Sequence, residues 1–298
     1  MWGRHTSAQT AAGVARGGRR QLAALAVAVG LMAAWLLWST AVRAADAPPT
    51  HVTVAGSGSN LASARLLAEA FRKVRPDILV NIPASLGTKG GIRAAAEGAV
   101  ALGLVSRELE GPETTLGLAF RTYARTAIVL GAHPTVADDG LTSRDVVEIY
   151  RGSKTRWRDG REIVVLTRQA GESSIEVMFR EIKEFKAAYQ ESDRVKRWAT
   201  FFTDQEMDRA LTATPYALGL SDLGTVRTER LHIKILKVDG ALPTVDDVRA
   251  GRYRLVKPLA FVYLPGRLPA AAQAFMAFAL SKDGQRALLA NGYIPADD

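Results

Sequence analysis

The chain contains no cysteine. That excludes disulfides, thiolate catalysis, Cys-ligated metals and a lipid anchor attached through cysteine. Histidine is scarce. His5, His51, His133 and His232 are scattered with no H-E-x-x-H or similar spacing, so no His-built metal site is expected. No Ser/His/Asp order or paired-carboxylate motif stands out, which argues against an enzyme. Internal repeats are absent, and no basic stripe interleaved with aromatic residues marks a nucleic-acid partner. Acidic residues are missing from the N-terminal segment: Arg4, Arg16, Arg19, Arg20 and Arg43 all precede Asp46. The formal charge of +9 is therefore mostly a property of that segment, and without it 34 basic residues face 30 acidic ones, a balance of +4. A mild positive balance favours small anions over neutral ligands.

What the N-terminal segment does contain is a run of arginines followed by a continuously apolar stretch, 22–38. Small residues at Val42-Arg43-Ala44 and Ala45-Asp46-Ala47 offer cleavage sites. The form is that of a secretory signal, and the apolar core exceeds the usual ~7–15 residues. Residues 1–44 are thus read as a signal peptide or an N-terminal membrane anchor, and 45–50 as a linker. In either case the folded part is expected outside the cytoplasm, in the periplasm, with membrane contact only if the segment stays uncleaved.

Beyond the linker, short apolar runs alternate with helical periodicity. A strand at 51–55 ends in Gly56-Ser57-Gly58-Ser59-Asn60, and a helix follows with Ala64, Leu67, Ala68, Phe71 and Val74 on one face. A second strand at 77–83 leads through the Gly-rich run Ser85-Leu86-Gly87-Thr88-Lys89-Gly90-Gly91 to a helix over 92–97. A third strand at 100–105 ends in Ser106-Arg107. Strand–helix–strand–helix–strand at this spacing predicts a parallel α/β sheet. Its three loops converge beyond the carboxyl ends of the strands, where such sheets collect ligands. A dinucleotide fingerprint fails, because Gly56-x-Gly58-x-x-Leu61 lacks the third glycine and the second strand ends without a carboxylate. Segment 116–132 reads as a long strand crossing between lobes. Thr142-Ser143-Arg144-Asp145 is a capping box, and Thr203-Asp204-Gln205-Glu206 is another. Strand 163–167 meets Arg168-Gln169-Ala170-Gly171-Glu172-Ser173-Ser174 and a helix from Ile175, a second place where a guanidinium, hydroxyls and a helix N-terminus could hold an anion. Segment 257–264 is a second crossing, and helices over 270–280 and up to 289 close the chain.

Taken together these segments resemble the phosphate-binding type of ABC-transporter periplasmic substrate-binding protein. Gly56-Ser57-Gly58-Ser59-Asn60-Leu61 is similar to the family's first ligand loop, Gly87-Thr88-Lys89-Gly90-Gly91-Ile92 to its second, and Gly103-Leu104-Val105-Ser106-Arg107-Glu108-Leu109 to its third. Ile149-Tyr150-x-Gly152, Thr214-Pro215-Tyr216-Ala217-Leu218-Gly219, Ser281-Lys282-Asp283-Gly284-Gln285 and Gly292-Tyr293-Ile294-Pro295 resemble its structural signatures.

The resemblance implies a two-lobe, class II periplasmic-binding-protein-like α/β fold with a hinge and an interlobe cleft, lobe one being 51–130 plus 258–298 and lobe two 131–257. It implies capture of an inorganic oxyanion, phosphate first, for an ABC-transporter permease, with no cofactor. The implied ligand residues are Ser59, Asn60, Thr88, Ser106, Arg107, Arg168, Ser173 and Ser174, with Glu172 and Asp204 as acceptors. The chain departs from the pattern where the ligand would sit. Arg168 to Ser174 replaces the family's R-x-x-G-S-G-T, so Glu172 stands where a hydroxyl is usual, and Arg107 stands where phosphate binders with an S-D loop carry an aspartate. A protonated phosphate needs an acceptor, whereas sulfate, molybdate or tungstate needs donors only. Glu172 either faces the cleft, favouring a protonated ligand, or serves as a helix-end acid. The alternative reading is a membrane-anchored periplasmic sensor or adaptor of the same fold with altered or lost anion binding, or a binder of tungstate, molybdate or sulfate.

Overall fold

Strand pairing follows the order expected for the first half of the chain. A computed structural model describes residues 48–296. The expectations for 1–44 and for most of the linker lie outside the described residues. The chain divides into two units, Met1–Pro49 and Thr50–Asp298, and the fold below belongs to the second. β1 (Thr50–Gly56) pairs in parallel with β2 (Ile78–Asn81) on one side and β3 (Leu102–Val105) on the other. Helix α1 (Leu61–Val74) lays Leu61, Ala64, Leu67 and Phe71 against this sheet at the three- and four-residue spacing of an amphipathic face. Val74, expected on that face, is exposed at the last turn, where the helix runs past the core.

One element starts earlier than its glycines suggest. Helix α2 spans Gly87–Ala96, so Thr88, Lys89 and Gly90 lie in its first turn and not in a loop before it. The cause is packing. A Cβ on Gly91 would come within 2.7 Å of the Leu104 carbonyl oxygen and 2.8 Å of the Gly56 Cα. Glycine there lets the helix rest directly on β1 and β3.

Two long strands tie the molecule together. β4 (Ala119–Ala132) and β10 (Val256–Tyr263) pair antiparallel, with Lys257 opposite Thr126 and an irregularity between Leu259 and Ala260. β4 feeds two cores, and β10 feeds the first of them. Tyr123 and Ala124 of β4 and Leu259 and Phe261 of β10 join Val54, Leu67, Phe71, Leu104, Phe275 and Leu288 in one core. Residues 127–130 and Ala132 of β4 join Tyr150, Trp157, Ile175, Phe185, Leu211 and Leu218 in the other. Burying side chains of this size contributes about 1.5–3 kcal/mol each, so each core can hold its own lobe.

The second lobe repeats the parallel pattern. β6 (Val164–Arg168) pairs in parallel with β7 (Ala199–Phe201) and β8 (Ala217–Asp222), and β8 joins β4 antiparallel. β9 (Lys234–Val238) also joins β4 antiparallel and takes the short β5 (Gly140–Leu141) in parallel. α3 (Ser143–Arg151) begins at the Thr142 capping box and ends at Gly152, whose φ of 84° is the left-handed conformation a C-cap needs. α4 (Ser173–Glu181) follows β6, and α5 (Phe185–Arg194) packs Phe185 and Tyr189 around Tyr150. α6 (Asp204–Ala213) starts at the second capping box. α9 (Ala270–Ala279) and α10 (Lys282–Ala290), numbered after two short helices at Leu223–Thr228 and Val245–Arg249, return to the first core. Sequence periodicity had not singled out α5 or those two short helices. Among the described residues no helix is long and apolar enough to cross a membrane.

Candidate functional site

The carboxyl ends of β1, β3 and β6 and the N-termini of α2 and α4 meet at a cavity of about 330 Å³. Thr88, Arg107, Arg168, Glu172, Ser173 and Asp204 line it, as do Ser57, Gly58 and Phe202. Ser59, Asn60, Ser106 and Ser174 stand behind this wall. Asn60 is fully buried and donates through Nδ2 to the Val105 carbonyl (3.3 Å) and the Tyr123 hydroxyl (3.1 Å), which makes it a brace between α1 and the sheet.

Hydroxyl groups form the floor. Ser106 Oγ lies 2.9 Å from Ser57 Oγ, 3.2 Å from Thr88 Oγ1 and 2.9 Å from Ser173 Oγ. The Ser106 amide also donates to Thr88 Oγ1 at 3.4 Å. Ser106 is 1% exposed, so it orients the three hydroxyls around it. Ser57 had not been picked out from sequence, although the Gly-Ser-Gly turn directly after a strand was its signal.

The two arginines differ in what they have left to offer. Arg107 Nη1 and Nη2 donate to the two oxygens of Glu113 at 2.7 and 2.8 Å, and Nη1 also reaches the Glu108 carbonyl at 2.7 Å. That bidentate bond raises the Arg107 pKa above its ordinary value. Its charge, expected to serve the ligand, is matched by Glu113. The reason is local: a 3-10 turn at Gly111–Thr115 folds Glu113 back onto the guanidinium. Arg168 is the last residue of β6 and only 4% exposed. Its Nη2 donates to the Phe202 carbonyl at 3.3 Å and lies 3.6 Å from Asp204 Oδ2. Its Nε and Nη1 are buried and have no hydrogen-bond partner among the described residues. An unmatched buried donor costs roughly 1–3 kcal/mol, more when charged. Two of them on one guanidinium at a cavity wall describe a seat for an acceptor.

Glu172 turns out to be both a cleft residue and a helix-end acid. It lines the cavity and is the N-cap of α4. Its Oε2 accepts from the Ser174 amide at 2.9 Å, and Oε1 accepts from Ser173 Oγ at 2.9 Å and Ser174 Oγ at 3.4 Å.

Behind Glu172 lies a residue that sequence reading had passed over. Lys257 of β10 is fully buried, and its Nζ donates to Ser59 Oγ and to Ser174 Oγ, both at 2.7 Å. The same ammonium is 3.0 Å from Asp222 Oδ1 and 3.9 Å from Glu172 Oε1. Burial works to lower its pKa, but the charges of Asp222, Glu172 and Asp204 outweigh it and the net direction is up. Burial likewise pushes Asp222 up to about 6 despite the neighbouring ammonium. The signal was a charged residue inside the otherwise apolar run 255–264, since an unpaired lysine is almost never fully buried.

Contacts between the lobes close the rear of the cleft. Ser59 Oγ donates to Asp204 Oδ1 at 3.2 Å, Gln205 Nε2 donates to the Gly58 carbonyl at 3.3 Å, and the Ser106–Ser173 bond spans the same gap. Gly58 is required there, because a Cβ would fall 2.2 Å from Asp204 Oδ2. Among the described residues no group of three or more His, Cys, Asp or Glu is placed to hold a metal.

Comparison with known proteins bears on the family and the fold. A family model described as the PBP superfamily domain matches residues 41–283. The phosphate-binding protein PstS 2 of Streptococcus agalactiae is 39% identical over 84 residues, which is 28% of this chain and 28% of that protein. The corresponding protein of Streptococcus pneumoniae is 28% identical over 106 residues, 36% of each. The match therefore spans well under half the length of these curated relatives. Among solved structures, one from Clostridium perfringens, assigned as a phosphate ABC transporter substrate-binding protein and holding phosphate, superposes with a TM-score of 0.73 at 25% identity, covering 83% of this chain and all of that one. An ABC-type phosphate transport receptor from Vibrio cholerae gives a TM-score of 0.59 at 22% identity over 82% of this chain and 99% of its own.

Proposed function

The chain belongs to the PBP superfamily, and from that premise we propose that it is an extracytoplasmic solute-binding protein that captures an inorganic oxyanion, phosphate first, for uptake through an ABC-transporter permease. One observation carries the choice of an oxyanion. Arg168 brings a buried guanidinium with two unmatched N–H donors to a cavity wall, beside the hydroxyls of Ser57 and Thr88. Charged and neutral donors converging on one small space are what a tetrahedral anion needs. The first turn of α2 adds backbone amides at the positive end of the helix dipole, that of Gly87 already donating to Ser85 Oγ at 3.2 Å. Asp204 on the same wall supplies the acceptor that protonated phosphate requires and sulfate does not. The relatives named as phosphate-binding support the same choice.

Binding would work through the hinge. Thr88 and Ser57 belong to one lobe and Arg168 to the other, so a bound anion holds the closed form and shifts the open–closed equilibrium. A permease can then read closure as occupancy.

Calorimetry on the purified protein with phosphate, sulfate, molybdate and tungstate is the test. Phosphate is expected to bind, and Arg168→Ala to weaken it at least about a hundredfold, as expected from losing charge-assisted bonds. Thr88→Ala should weaken it by a smaller factor. Absence of binding heat with all four oxyanions would overturn the proposal. The Glu172 carboxylate beside the seat favours a second reading, a periplasmic sensor or adaptor of the same fold whose anion binding is altered.

A further inference from the structure

We infer that Glu172 is an anion the chain has already seated in its own cleft, and that this carboxylate limits how tightly and how selectively the site holds an external oxyanion. The inference rests on the oxyanion reading above.

The cleft carries two sets of donors. One consists of Arg168 Nε and Nη1, which are buried and unmatched. The other is the start of α4, a nine-residue helix whose first amides have no intrahelical acceptor. There the Ser174 amide, Ser173 Oγ and Ser174 Oγ all point at one carboxylate, that of Glu172, at 2.9, 2.9 and 3.4 Å. A lysine ammonium lies 3.9 Å from the same oxygen that the two hydroxyls use. Amide, two hydroxyls and a cation around two oxygens make the surroundings of a bound oxyanion, with the glutamate as its occupant. The ammonium of Lys257 is shared among Asp222, Ser59 and Ser174, so Glu172 also answers part of its charge.

Two consequences follow for an incoming anion. It finds the Arg168, Ser57 and α2 donors, while those of α4 are taken. It also meets a negative charge on the wall of the same cavity, and like charges brought together out of water repel. A ligand that carries a proton can turn that carboxylate into an acceptor, while a fully ionised one cannot. Glu172 is therefore a specificity-determining residue that favours protonated phosphate over sulfate at a cost in affinity for both.

Calorimetry with inorganic phosphate and with sulfate on the full-length protein and two variants decides the matter. Glu172→Ser keeps a good N-cap residue and removes the charge; Glu172→Gln keeps the size and the capping acceptor. We expect Glu172→Ser to bind phosphate at least about tenfold more tightly than the parent. Sulfate should gain by a larger factor, which narrows the preference, and Glu172→Gln should shift both affinities in the same direction by less. Thermal unfolding without ligand establishes that each variant is folded, and Glu172→Gln decides alone if Glu172→Ser is not. If the parent binds phosphate and the folded variants bind it equally or more weakly, the inference is overturned and the oxyanion reading stands. If parent and variants bind neither anion, the inference falls, and the titrations with molybdate and tungstate decide the oxyanion reading separately.

Discussion

At position 257 the chain puts an ammonium into a buried strand, and the surrounding carboxylates make it tolerable. Lys257 stands 3.0 Å from Asp222 and holds hydroxyls from both lobes, Ser59 and Ser174. Removing one partner of a buried pair leaves the other uncompensated, at about 3–5 kcal/mol. Lys257→Met is expected to lose stability in that range by urea unfolding near neutral pH, and Lys257→Met with Asp222→Asn should recover part of it. Asp208 poses the complementary case. Burial pushes its carboxyl up to about 7, against the pull of a 2.6 Å hydrogen bond from Ser221. In the unfolded chain the same group ionises in the ordinary carboxylate range, so the stability linked to its proton is full below about pH 4 and is lost as pH rises through about 7. Asp208→Asn should match the parent near pH 4 and exceed it by about 2–4 kcal/mol near pH 8. Equal urea midpoints for the two proteins at pH 8 would count against this account.

Between residues and lobes, two elements place candidate ligand groups on the cavity wall. α2 delivers Thr88 because Gly91 lets the helix lie on the backbone of β1 and β3. Gly91→Ala has no flexible side chain to push aside, only Leu104 and Gly56 backbone atoms, so about 1–3 kcal/mol of destabilisation is expected. Thr88 would shift with the helix, and phosphate affinity should fall even where the variant stays folded, which calorimetry reads directly. α6 delivers Asp204 from its first turn, and its start is set by the reciprocal Thr203–Glu206 box, with the Glu206 amide donating to Thr203 Oγ1 at 3.2 Å and the Thr203 amide to Glu206 Oε2 at 3.0 Å. Thr203→Ala should cost about 1 kcal/mol in unfolding experiments.

For the whole molecule, the decisive feature is that β4 passes through both cores and β10 pairs with it from Val256 to Tyr263. The hinge is then a pair of hydrogen-bonded strands, and the cleft is the gap they span. A ligand held from both lobes binds the folded closed state alone. Phosphate at a hundred times its dissociation constant should therefore raise the unfolding free energy by about 2.7 kcal/mol. Arg168→Ala should show no such gain at the same phosphate concentration, a difference that thermal shift measures in one titration.

The strand–helix alternation of the first lobe, the capping boxes at Thr142 and Thr203, and the two crossing segments could all be read from sequence, because periodicity and caps are local properties. Thr88, Arg168 and Ser173 could be picked out as candidates, since they lie at strand–helix junctions, and the structure brings all three to the wall of one cavity. Tertiary structure alone decided the rest. Whether Arg107 was free depended on where a turn placed Glu113; whether Glu172 faced the cleft or capped a helix had the answer that it does both. Lys257 entered the site only when two distant lobes brought Ser59, Ser174 and Asp222 around it. A charge is assigned its role by its neighbours, and neighbours far apart in the chain are chosen by packing.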